Sequence, residues 1–333
     1  MLKREIGQAF APGHITGFFE ICDDSKNPML VGSRGAGVCI DKGVKTSVQL
    51  MPKNIQKQIK IQINTNPMRV ESPKIRLRRI KTQFADCSTR VSQEVVNMLI
   101  EPIQRSIRAR QINLLIDHEV EIPIGCGLGA SGAGALSLAL ALNHLFGLGS
   151  SLEMGQVAHR AEIKCKTGLG TVSAQFTGGF ELRKEPGAPG FGVVKKLKIS
   201  EDYRVVCLVV KKMPTPKLLV DKQLKKRINE NGARALNLFL KEPTVEGFMK
   251  VSRDFAESVG LISPNIRKIL AVTDKNGIVC SQAMFGETIF AIVHQSLAPK
   301  LSEIFHRIAP NPHWIINAGI SREGASVLEW RRQ

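Results

Sequence analysis

The stretch from Pro123 to Ala135, PIGCGLGASGAGA, carries the clearest sign of chemistry in the sequence. Glycines let a backbone wrap closely around a polyphosphate with its amides turned inward, and the first turn of a following helix adds unpaired N–H groups. The residues that we expect to meet phosphate are Gly125, Gly127, Leu128, Gly129, Ala130, Ser131 and Gly132. Ser131 can also offer its hydroxyl to Mg²⁺. The stretch therefore predicts a site for the phosphates of a nucleotide.

Other glycine-rich loops bind nucleotides with different residues, and the sequence distinguishes them. A Walker A loop needs Lys and then Ser or Thr after its last glycine, whereas Ala133 and Gly134 stand there. A GxGxxG fingerprint is formally present, but its acidic residue, Glu153, follows Ser150 at capping-box spacing and so begins a helix. A Walker A loop is excluded and a dinucleotide site is disfavoured. A loop that only packs a helix against a strand remains the structural alternative.

A second candidate, Glu162, lies on a predicted helix from Ser151 to Cys165. The apolar residues of this helix form one stripe, and Glu162 lies at the border of that stripe. A carboxylate in this position can turn towards the interior of the protein, where its oxygens suit Mg²⁺. On the helix pattern alone, a solvated Glu on the surface is the simpler interpretation.

The elements around these residues indicate a mixed α and β region. Residues 7–46 alternate short apolar stretches with Gly, Pro and Asp, which predicts short strands joined by tight turns. The periodicity predicts further strands at residues 58–63, 75–80 and 112–123, and helices at residues 92–107 and about 131–145. The helix that follows the glycine loop is apolar on all sides and should be buried.

The second half of the chain has a different order of elements. The segment EPGAPGFG, residues 185–192, predicts a connector, and we place the domain boundary there, between domains of residues 1–185 and 193–333. Beyond it, strands and helices are predicted at residues 203–210, 221–240, 245–259, 279–284, 288–293, 297–308 and 314–317. That order is typical of a ferredoxin-like sheet with helices on one side. The predicted fold class is α+β with two domains.

Composition narrows the class of partner. The chain has 333 residues and a formal net charge of +18, which favours nucleotides, carboxylate substrates or nucleic acids. Two basic strings, at residues 74–81 and 105–110, favour nucleic acid, but only 5% of the residues are aromatic and stacking platforms are few. Glycines interrupt the uncharged span of residues 122–152, and the N-terminus has no apolar signal core. We therefore expect a cytoplasmic protein with neither a nucleic-acid nor a membrane partner.

Five stretches of the sequence resemble a known kinase family. PIGCGLGASGAGA looks like the phosphate-binding motif of the GHMP kinases, and AFAPGHITGFFEI, residues 9–21, resembles their N-terminal motif with His14 in place of the usual Arg. CSQAMFGETIFAIV, residues 280–293, resembles their third motif, of which only Gly286 is left. With GSRGAGVCIDKGV, residues 32–44, and TGLG, residues 167–170, these stretches are similar to the archaeal pantoate kinases over nearly the whole chain.

The resemblance implies a reaction and the residues that serve it. GHMP kinases combine an N-terminal ATP-binding domain with a ferredoxin-like C-terminal domain, and pantoate kinases phosphorylate pantoate to 4-phosphopantoate on the route to coenzyme A. It further implies that Ser131 and Glu162 hold Mg²⁺, and that Thr171 stands where many relatives carry a catalytic Asp, seven residues before Gly178. Threonine cannot act as a base near neutral pH. The proton would then pass to a phosphate oxygen or through water.

Pantoate carries a carboxylate and two hydroxyls, so its pocket needs either a cation or converging backbone amides for the carboxylate, together with partners for the hydroxyls. Arg34, with Ser33 beside it, is the predicted carboxylate ligand, and His14 and Thr16 are predicted to orient the hydroxyls. Two alternatives stay open. The acceptor can be another small alcohol or acid such as homoserine or mevalonate, or the protein is a non-catalytic sensor of ATP or an acid, which Thr171 would favour. A homodimer is expected only because relatives often form one.

Overall fold

A computed structural model of the protein describes residues 5–51, 59–65, 87–106, 112–212, 221–309 and 315–329. The helices in these residues are α1 (Cys87–Ser106), α2 (Ala130–Phe146), α3 (Ser151–Cys165), α4 (Thr171–Thr177), α5 (Lys222–Lys241), α6 (Val245–Val259), α7 (Pro264–Lys275) and α8 (Ala298–Ile308). The strands are β1 (Ile6–Cys22), β2 (Gly32–Leu50), β3 (Ile59–Thr65), β4 (Leu114–Val120), β5 (Phe180–Glu185), β6 (Val193–Leu197), β7 (Tyr203–Lys211), β8 (Ser281–Gln282), β9 (Glu287–His294), β10 (Ile315–Gly319) and β11 (Ser326–Val327). They form two sheets.

A long antiparallel hairpin dominates the first sheet. β1 and β2 run for 17 and 19 residues, with β11 beyond β1 and with β4, β3 and the β5–β6 pair on the side of β2. The tight turns predicted between strands in residues 7–46 are therefore wrong where β1 and β2 continue through glycine and proline. Glycine and proline in this region mark register shifts, between Pro12 and Gly13 and between Thr16 and Phe18, and the strands continue through them.

The second sheet has the strand order β10, β7, β9, β8, and every neighbouring pair is antiparallel. β7, the first of the four along the chain, therefore lies between β10 and β9, and β8, the second along the chain, lies at the edge. Helices α5, α6 and α7 connect β7 to β8, and α8 connects β9 to β10. This is the arrangement of a ferredoxin-like sheet. The predicted α+β fold with a ferredoxin-like C-terminal half is confirmed.

Local signals fixed the helix ends where capping residues are present. α3 begins after Ser150, whose hydroxyl accepts from the Glu153 amide while the Glu153 carboxylate accepts from the Ser150 amide. Glu153 therefore begins a helix, as predicted, and α3 and α6 have the predicted bounds. Helix α7 was not predicted, although Ser263 caps it and Pro264 opens it, which is a recognisable start signal.

Some predicted features lie outside the described residues. These are the strand at residues 75–80, the basic string at residues 74–81 and most of the basic string at residues 105–110. Among the helices that the structure describes, none combines the length and apolarity that a membrane crossing requires. The most apolar of them, α2, has 17 residues and is buried along most of its length, as its sequence predicts.

Four buried polar side chains form a closed group between the first sheet and its helices. This His118 cluster consists of His118 on β4, Thr46 on β2, Ser92 on α1 and Ser137 on α2. The two ring nitrogens of His118 lie 2.8 Å from Thr46 Oγ1 and 3.1 Å from Ser92 Oγ, and Ser137 Oγ lies 2.6 Å from Thr46 Oγ1. Burial lowers the pKa of His118 to about 4. The cluster joins two strands to two helices.

Residues 320–328, the return segment, run from the second sheet back to the first, where β11 pairs with β1. The amide of Ala325 donates to the carbonyl of Gln175 on α4 at 2.9 Å. The amide of Leu328 donates to the carbonyl of Gln8 on β1, also at 2.9 Å. The return segment therefore holds α4 from outside and ties it to the edge of the first sheet.

The predicted domain boundary between residues 185 and 193 stays a prediction. That segment forms the turn between β5 and β6, which pair with each other in the first sheet. The second sheet begins with β7, and the return segment rejoins the first sheet after β10. The chain thus passes from one sheet to the other between Leu197 and Tyr203, and it passes back after Gly319.

Candidate active site

The glycine loop, residues 123–129, connects β4 to α2. Gly125, Gly127 and Gly129 have φ angles of 77°, 78° and 71°, a left-handed conformation that residues with side chains rarely adopt. These alternating left-handed residues curl the loop over the start of α2. Gly129 is the N-cap of that helix and offers no side chain to the first N–H groups. A strand, a curl of glycines and an uncapped helix start together suit an anionic phosphate chain.

Ser131 and Glu162 are brought together at the start of α2. Ser131 Oγ donates to Glu162 Oε1 at 2.5 Å, and Thr167 Oγ1 donates to the same oxygen at 2.5 Å. Glu162 is only 3% exposed. Burial raises the pKa of Glu162, and the two hydroxyl hydrogen bonds partly offset that rise. Near its end, α3 thus places a buried carboxylate beside a hydroxyl of the glycine-loop helix.

The second carboxylate oxygen of Glu162 faces two glycines. A Cβ on Gly168 would lie 2.2 Å from Glu162 Oε2, and a Cβ on Gly132 would lie 3.5 Å from it. Mg²⁺ in nucleotide sites takes one or two protein oxygens and completes its shell with water and phosphate. Within the described ranges, no three His, Cys, Asp or Glu side chains form a metal site of their own. The oxygens of Ser131 and Glu162 are of the kind that Mg²⁺ takes beside the phosphates of a nucleotide.

Thr171 begins α4 and packs against the glycine loop. A Cβ on Gly129 would lie 2.9 Å from Thr171 Cγ2 and 2.9 Å from Gln175 Nε2. Gln175 Nε2 donates to the carbonyls of Gly129 and Pro12, at 2.9 and 2.8 Å. One amide therefore joins α4, the glycine loop and β1. The hydroxyl of Thr171 lies on the other side, where a Cβ on Gly168 would be 3.7 Å from it.

β1 brings His14 and Thr16 to the glycine loop, where the backbone of β1 contacts Leu128. The amide of His14 donates to the carbonyl of Leu128 at 3.0 Å. His14 is 2% exposed, with Nε2 at 2.9 Å from Glu181 Oε1 and Nδ1 at 3.5 Å from Thr16 Oγ1. Burial lowers the pKa of His14, and the hydrogen bond to Glu181 partly offsets that effect. Both predicted residues therefore lie on the strand that the glycine loop contacts.

Ser33 and Arg34 are neighbours on β2, and their side chains diverge. Ser33 is buried beside the start of α4, where a Cβ on Gly170 would lie 2.1 Å from Ser33 Oγ. Arg34 donates through Nε and Nη2 to Glu20 Oε2, at 2.9 and 2.5 Å, and its side chain is 39% exposed. The structure thus brings Ser33 to the other candidate residues and leaves Arg34 apart from them.

Sequence analysis missed two charged residues of the site, Glu181 and Arg183 on β5. Arg183 Nη1 donates to Glu181 Oε1, the oxygen that also faces His14 Nε2, and all three residues are buried. Arg183 Nε, Arg183 Nη2 and Glu181 Oε2 have no hydrogen-bond partner among the described residues. We call these three residues the Arg183 cluster. Their spacing of two positions on a strand was the available signal, because it places both charges on one face.

A turn of the second sheet, between β8 and β9, completes the surroundings of the glycine loop. A Cβ on Gly286 would lie 2.1 Å from the carbonyl oxygen of Cys126, and Thr288 Oγ1 donates to that oxygen at 2.7 Å. Phe285, with φ at 59°, packs edge-on against Phe19 with ring centroids 5.3 Å apart. The predicted third motif therefore fixes the position of the glycine loop.

The chain matches a protein family and several known proteins. The model of the GHMP kinase N-terminal domain matches residues 93–179. A pantoate kinase from Methanocaldococcus jannaschii is 34% identical over 308 residues, which are 92% of this chain and 100% of that protein. The chain belongs to the pantoate kinases. Another member of the pantoate kinase family, from Thermococcus kodakarensis, is 33% identical over 302 residues, or 89% of this chain and 91% of that protein.

Solved structures agree with membership of the pantoate kinase family. A structure described as a phosphotransferase related to the CoA biosynthesis pathway superposes with a TM-score of 0.80 at 31% identity, over 98% of this chain and 99% of that one. A homoserine kinase from Cytophaga hutchinsonii superposes with a TM-score of 0.65 at 16% identity, which shows the fold alone. The predicted GHMP kinase fold and the resemblance to archaeal pantoate kinases are confirmed. As GHMP kinases, the pantoate kinases use ATP.

Proposed function

We propose that the protein transfers the γ-phosphoryl group of ATP to pantoate and releases ADP and 4-phosphopantoate, a step of coenzyme A synthesis. The observation that carries the proposal is the Ser131–Glu162 contact at the end of the glycine loop, in a chain that is 34% identical to a pantoate kinase over 92% of its length. Phosphoryl transfer of this kind depends mainly on positioning and on neutralising charge. The site offers both.

On the nucleotide side, we propose that the ATP phosphates lie against the amides of residues 125–132. Ser131 and Glu162 would hold Mg²⁺. Bound there, the ion neutralises charge on the transferring phosphoryl group. The pKa of Glu162 supports this assignment, because burial disfavours the ionised carboxylate and a divalent cation held beside it would favour that form.

On the acceptor side, we propose Arg183 as the ligand of the pantoate carboxylate. Its Nε and Nη2 groups are buried without partners, and a guanidinium presents such a pair of donors to a carboxylate as a fork. A Cβ on Gly170 would lie 3.1 Å from Arg183 Nε, so the unpaired side faces the start of α4. Arg34 remains the alternative ligand, although its guanidinium already donates to Glu20.

The hydroxyls of pantoate are proposed to meet Ser33, His14 and Thr16. Ser33 Oγ and Arg183 Nε both lie beside Gly170. A pantoate molecule whose carboxylate is bound at Arg183 would therefore bring a hydroxyl close to Ser33. Thr16 Oγ1 lies next to His14 on β1. The Cβ of His14 and the methyl group of Thr171 both lie beside Gly129, and we propose that the acceptor hydroxyl approaches the γ-phosphate at this part of the glycine loop. The proposed partners of the protein are therefore ATP and pantoate.

The decisive experiment is a comparison of acceptors. The purified protein is incubated with ATP and Mg²⁺ and with pantoate, homoserine or mevalonate in turn, while ADP release is followed by a coupled assay and products by ³¹P NMR. We expect a new phosphomonoester signal with pantoate and none after removal of Mg²⁺ by a chelator. Turnover with homoserine or mevalonate and none with pantoate would replace the proposed acceptor.

A second outcome separates catalysis from binding alone. If ATP binds in calorimetry but no acceptor gives ADP, the sensor hypothesis replaces the kinase reaction. The oligomeric state is measured on the same sample by light scattering, which tests the proposed homodimer.

A further inference from the structure

The proposed reaction needs a destination for the proton of the attacking hydroxyl. Thr171 occupies the position where many GHMP kinases carry a catalytic Asp, and a threonine hydroxyl does not accept protons near neutral pH. Glu162 is held by two hydroxyls and is assigned to the metal, so it does not supply this role. Another described group close to Thr171 and the glycine loop must therefore be considered.

His14 reaches the same part of the glycine loop as Thr171. A Cβ on Gly129 would lie 2.9 Å from Thr171 Cγ2 and 3.3 Å from the Cβ of His14. The backbone of His14 is fixed there by its hydrogen bond to Leu128. Both side chains therefore lie beside Gly129, so His14 is a neighbour of the loop residue that Thr171 packs against.

Glu181 and Arg183 determine which nitrogen of His14 carries the proton. Glu181 Oε1 accepts from Arg183 Nη1 and lies 2.9 Å from His14 Nε2. A carboxylate oxygen facing a guanidinium can only accept, so Nε2 carries the hydrogen. The 3.4 Å between Arg183 Nη1 and His14 Nε2 follows, because both groups donate to one oxygen. The lone pair of His14 is therefore on Nδ1, and Thr16 Oγ1 lies 3.5 Å from that nitrogen.

The charged groups around the ring keep it in the form that accepts a proton. Burial lowers the pKa of His14, Glu181 raises it and Arg183 lowers it, so the imidazole is neutral near pH 7. In the part of the chain that the structure describes, the charged groups that contact the ring are Glu181 and Arg183, both on β5. α4 presents Thr171 and Gln175, and the glycine loop presents backbone, so these elements add no charge.

We infer that His14 is the proton acceptor of the reaction, with Nδ1 taking the proton of the acceptor hydroxyl and with Glu181 as the residue that positions the ring. The inference rests on the proposed function. As the O–H bond breaks, its proton moves to His14 Nδ1, and the oxygen forms a bond to the γ-phosphorus. The bond between the γ-phosphorus and the bridging oxygen breaks, and its electron pair leaves with ADP. The imidazolium returns the proton to water when the products leave.

Single-turnover phosphoryl transfer, measured against pH in wild type and variants, tests this role without interference from product release. The wild-type rate is expected to fall on the acid side as one group becomes protonated. His14→Asn should lower the rate by about 10²-fold to 10⁴-fold and remove the acid limb, while the KM for ATP is unchanged. In the double variant His14→Asn, Thr171→Asp the new carboxylate should recover at least about tenfold of the rate, within the range that a general base contributes. His306→Asn, an exposed histidine on α8, is the matched control.

Glu181→Gln provides a second test that does not remove the ring. Because Glu181 raises the pKa of His14, its loss should move the acid limb of the rate to lower pH. A wild-type rate that is constant between about pH 5 and 8 overturns the inference without any variant. So does a folded His14→Asn protein with a wild-type rate and acid limb. If the wild type does not phosphorylate pantoate at all, the proposed function fails, whereas transfer with unaffected variants refutes only the role of His14.

Discussion

Two buried histidines of the first sheet belong to polar clusters of opposite character. In the His118 cluster both ring nitrogens have partners, and no side-chain atom of its four residues is left without a hydrogen bond. In the Arg183 cluster, two donors of Arg183 and one oxygen of Glu181 are buried without partners in the described structure. The first cluster is complete by itself, and the second leaves polar groups that the described residues do not satisfy.

This difference separates structural from functional polar groups. An unpaired buried donor costs about 1 to 3 kcal/mol, and more when it is charged, so a protein retains one only where a ligand or water compensates it. A satisfied network instead joins the elements around it, as the His118 cluster joins β2 and β4 to α1 and α2. The comparison predicts that changes in one cluster affect stability and that changes in the other affect substrate use.

Among the variants that test this comparison, the largest effect is expected for Glu162, which has hydrogen-bond partners and is nevertheless assigned a functional role. Glu162 Oε1 has two hydroxyl partners, yet we assign the side chain to Mg²⁺. Glu162→Gln should lower kcat by about 10²-fold to 10³-fold, because it removes a charge that faces the metal. Steady-state assays over a range of Mg²⁺ concentrations measure this effect. Glu153→Gln on the same helix is the control, since Gln also completes a capping box. Equal activity of the two variants would return Glu162 to a structural role.

The next effect concerns the closed cluster. The His118 pKa of about 4 lies below the ordinary value of 6.5, so the unfolded chain binds the proton more readily than the folded one between these values. The contribution of His118 to the free energy of unfolding is therefore full above pH 6.5 and falls by about 3 kcal/mol as the pH drops to 4. Urea unfolding of wild type and His118→Gln across this window measures it. The two proteins should differ in slope, and parallel curves would contradict the assignment.

A third prediction tests the open cluster. Arg183→Lys keeps a cation beside Glu181 but removes the forked pair of donors, so the KM for pantoate should rise about 10-fold to 100-fold while the KM for ATP stays constant. Initial-rate kinetics with each substrate varied in turn provide the measurement. Arg34→Lys is the matched variant, and a raised pantoate KM there, with Arg183→Lys unaffected, would exchange the two assignments. In the closed cluster, Ser92→Ala should lower the melting temperature and leave both KM values unchanged.

The smallest effect is expected at Thr171. Its methyl group packs against the glycine loop, and its hydroxyl lies towards Gly168. Thr171→Val keeps the methyl group and the shape, so kcat should fall only about 2-fold to 10-fold, the value of one neutral hydrogen bond. Single-turnover rates at saturating ATP and pantoate measure it. A loss of several orders of magnitude would mean that this hydroxyl takes part in the transfer itself.

The nucleotide side of the site could be predicted from the sequence because each part depends on neighbouring residues. The glycines report a backbone conformation, and Ser150 with Glu153 reports the start of α3. Once the ends of that helix are known, Glu162 can be placed on its border. Such signals require no knowledge of which strand lies next to which.

The acceptor side could not be predicted in the same way because it depends on tertiary packing. FELRKE on β5 has the alternation of a half-solvated strand, and nothing within it indicates that Glu181 and Arg183 are covered by β1 and α4. Arg34 seemed the better ligand because glycines surround it, yet it forms a cross-strand pair with Glu20. The length of β1 and β2 was missed because register shifts and turns use the same residue types.

The return segment can pair with β1 only after the chain between them has been synthesised. The hydrogen bond between the Leu328 amide and the Gln8 carbonyl can form only after the whole segment between these two residues has left the ribosome. At ordinary elongation rates the synthesis of that length of chain takes on the order of tens of seconds. Once Glu162 has emerged, the growing chain carries the glycine loop, Ser131 and Glu162, but α4 still lacks the contact that Ala325 makes with Gln175. A nascent or prematurely terminated chain is therefore an incomplete enzyme, with the edge of β1 open to other strands.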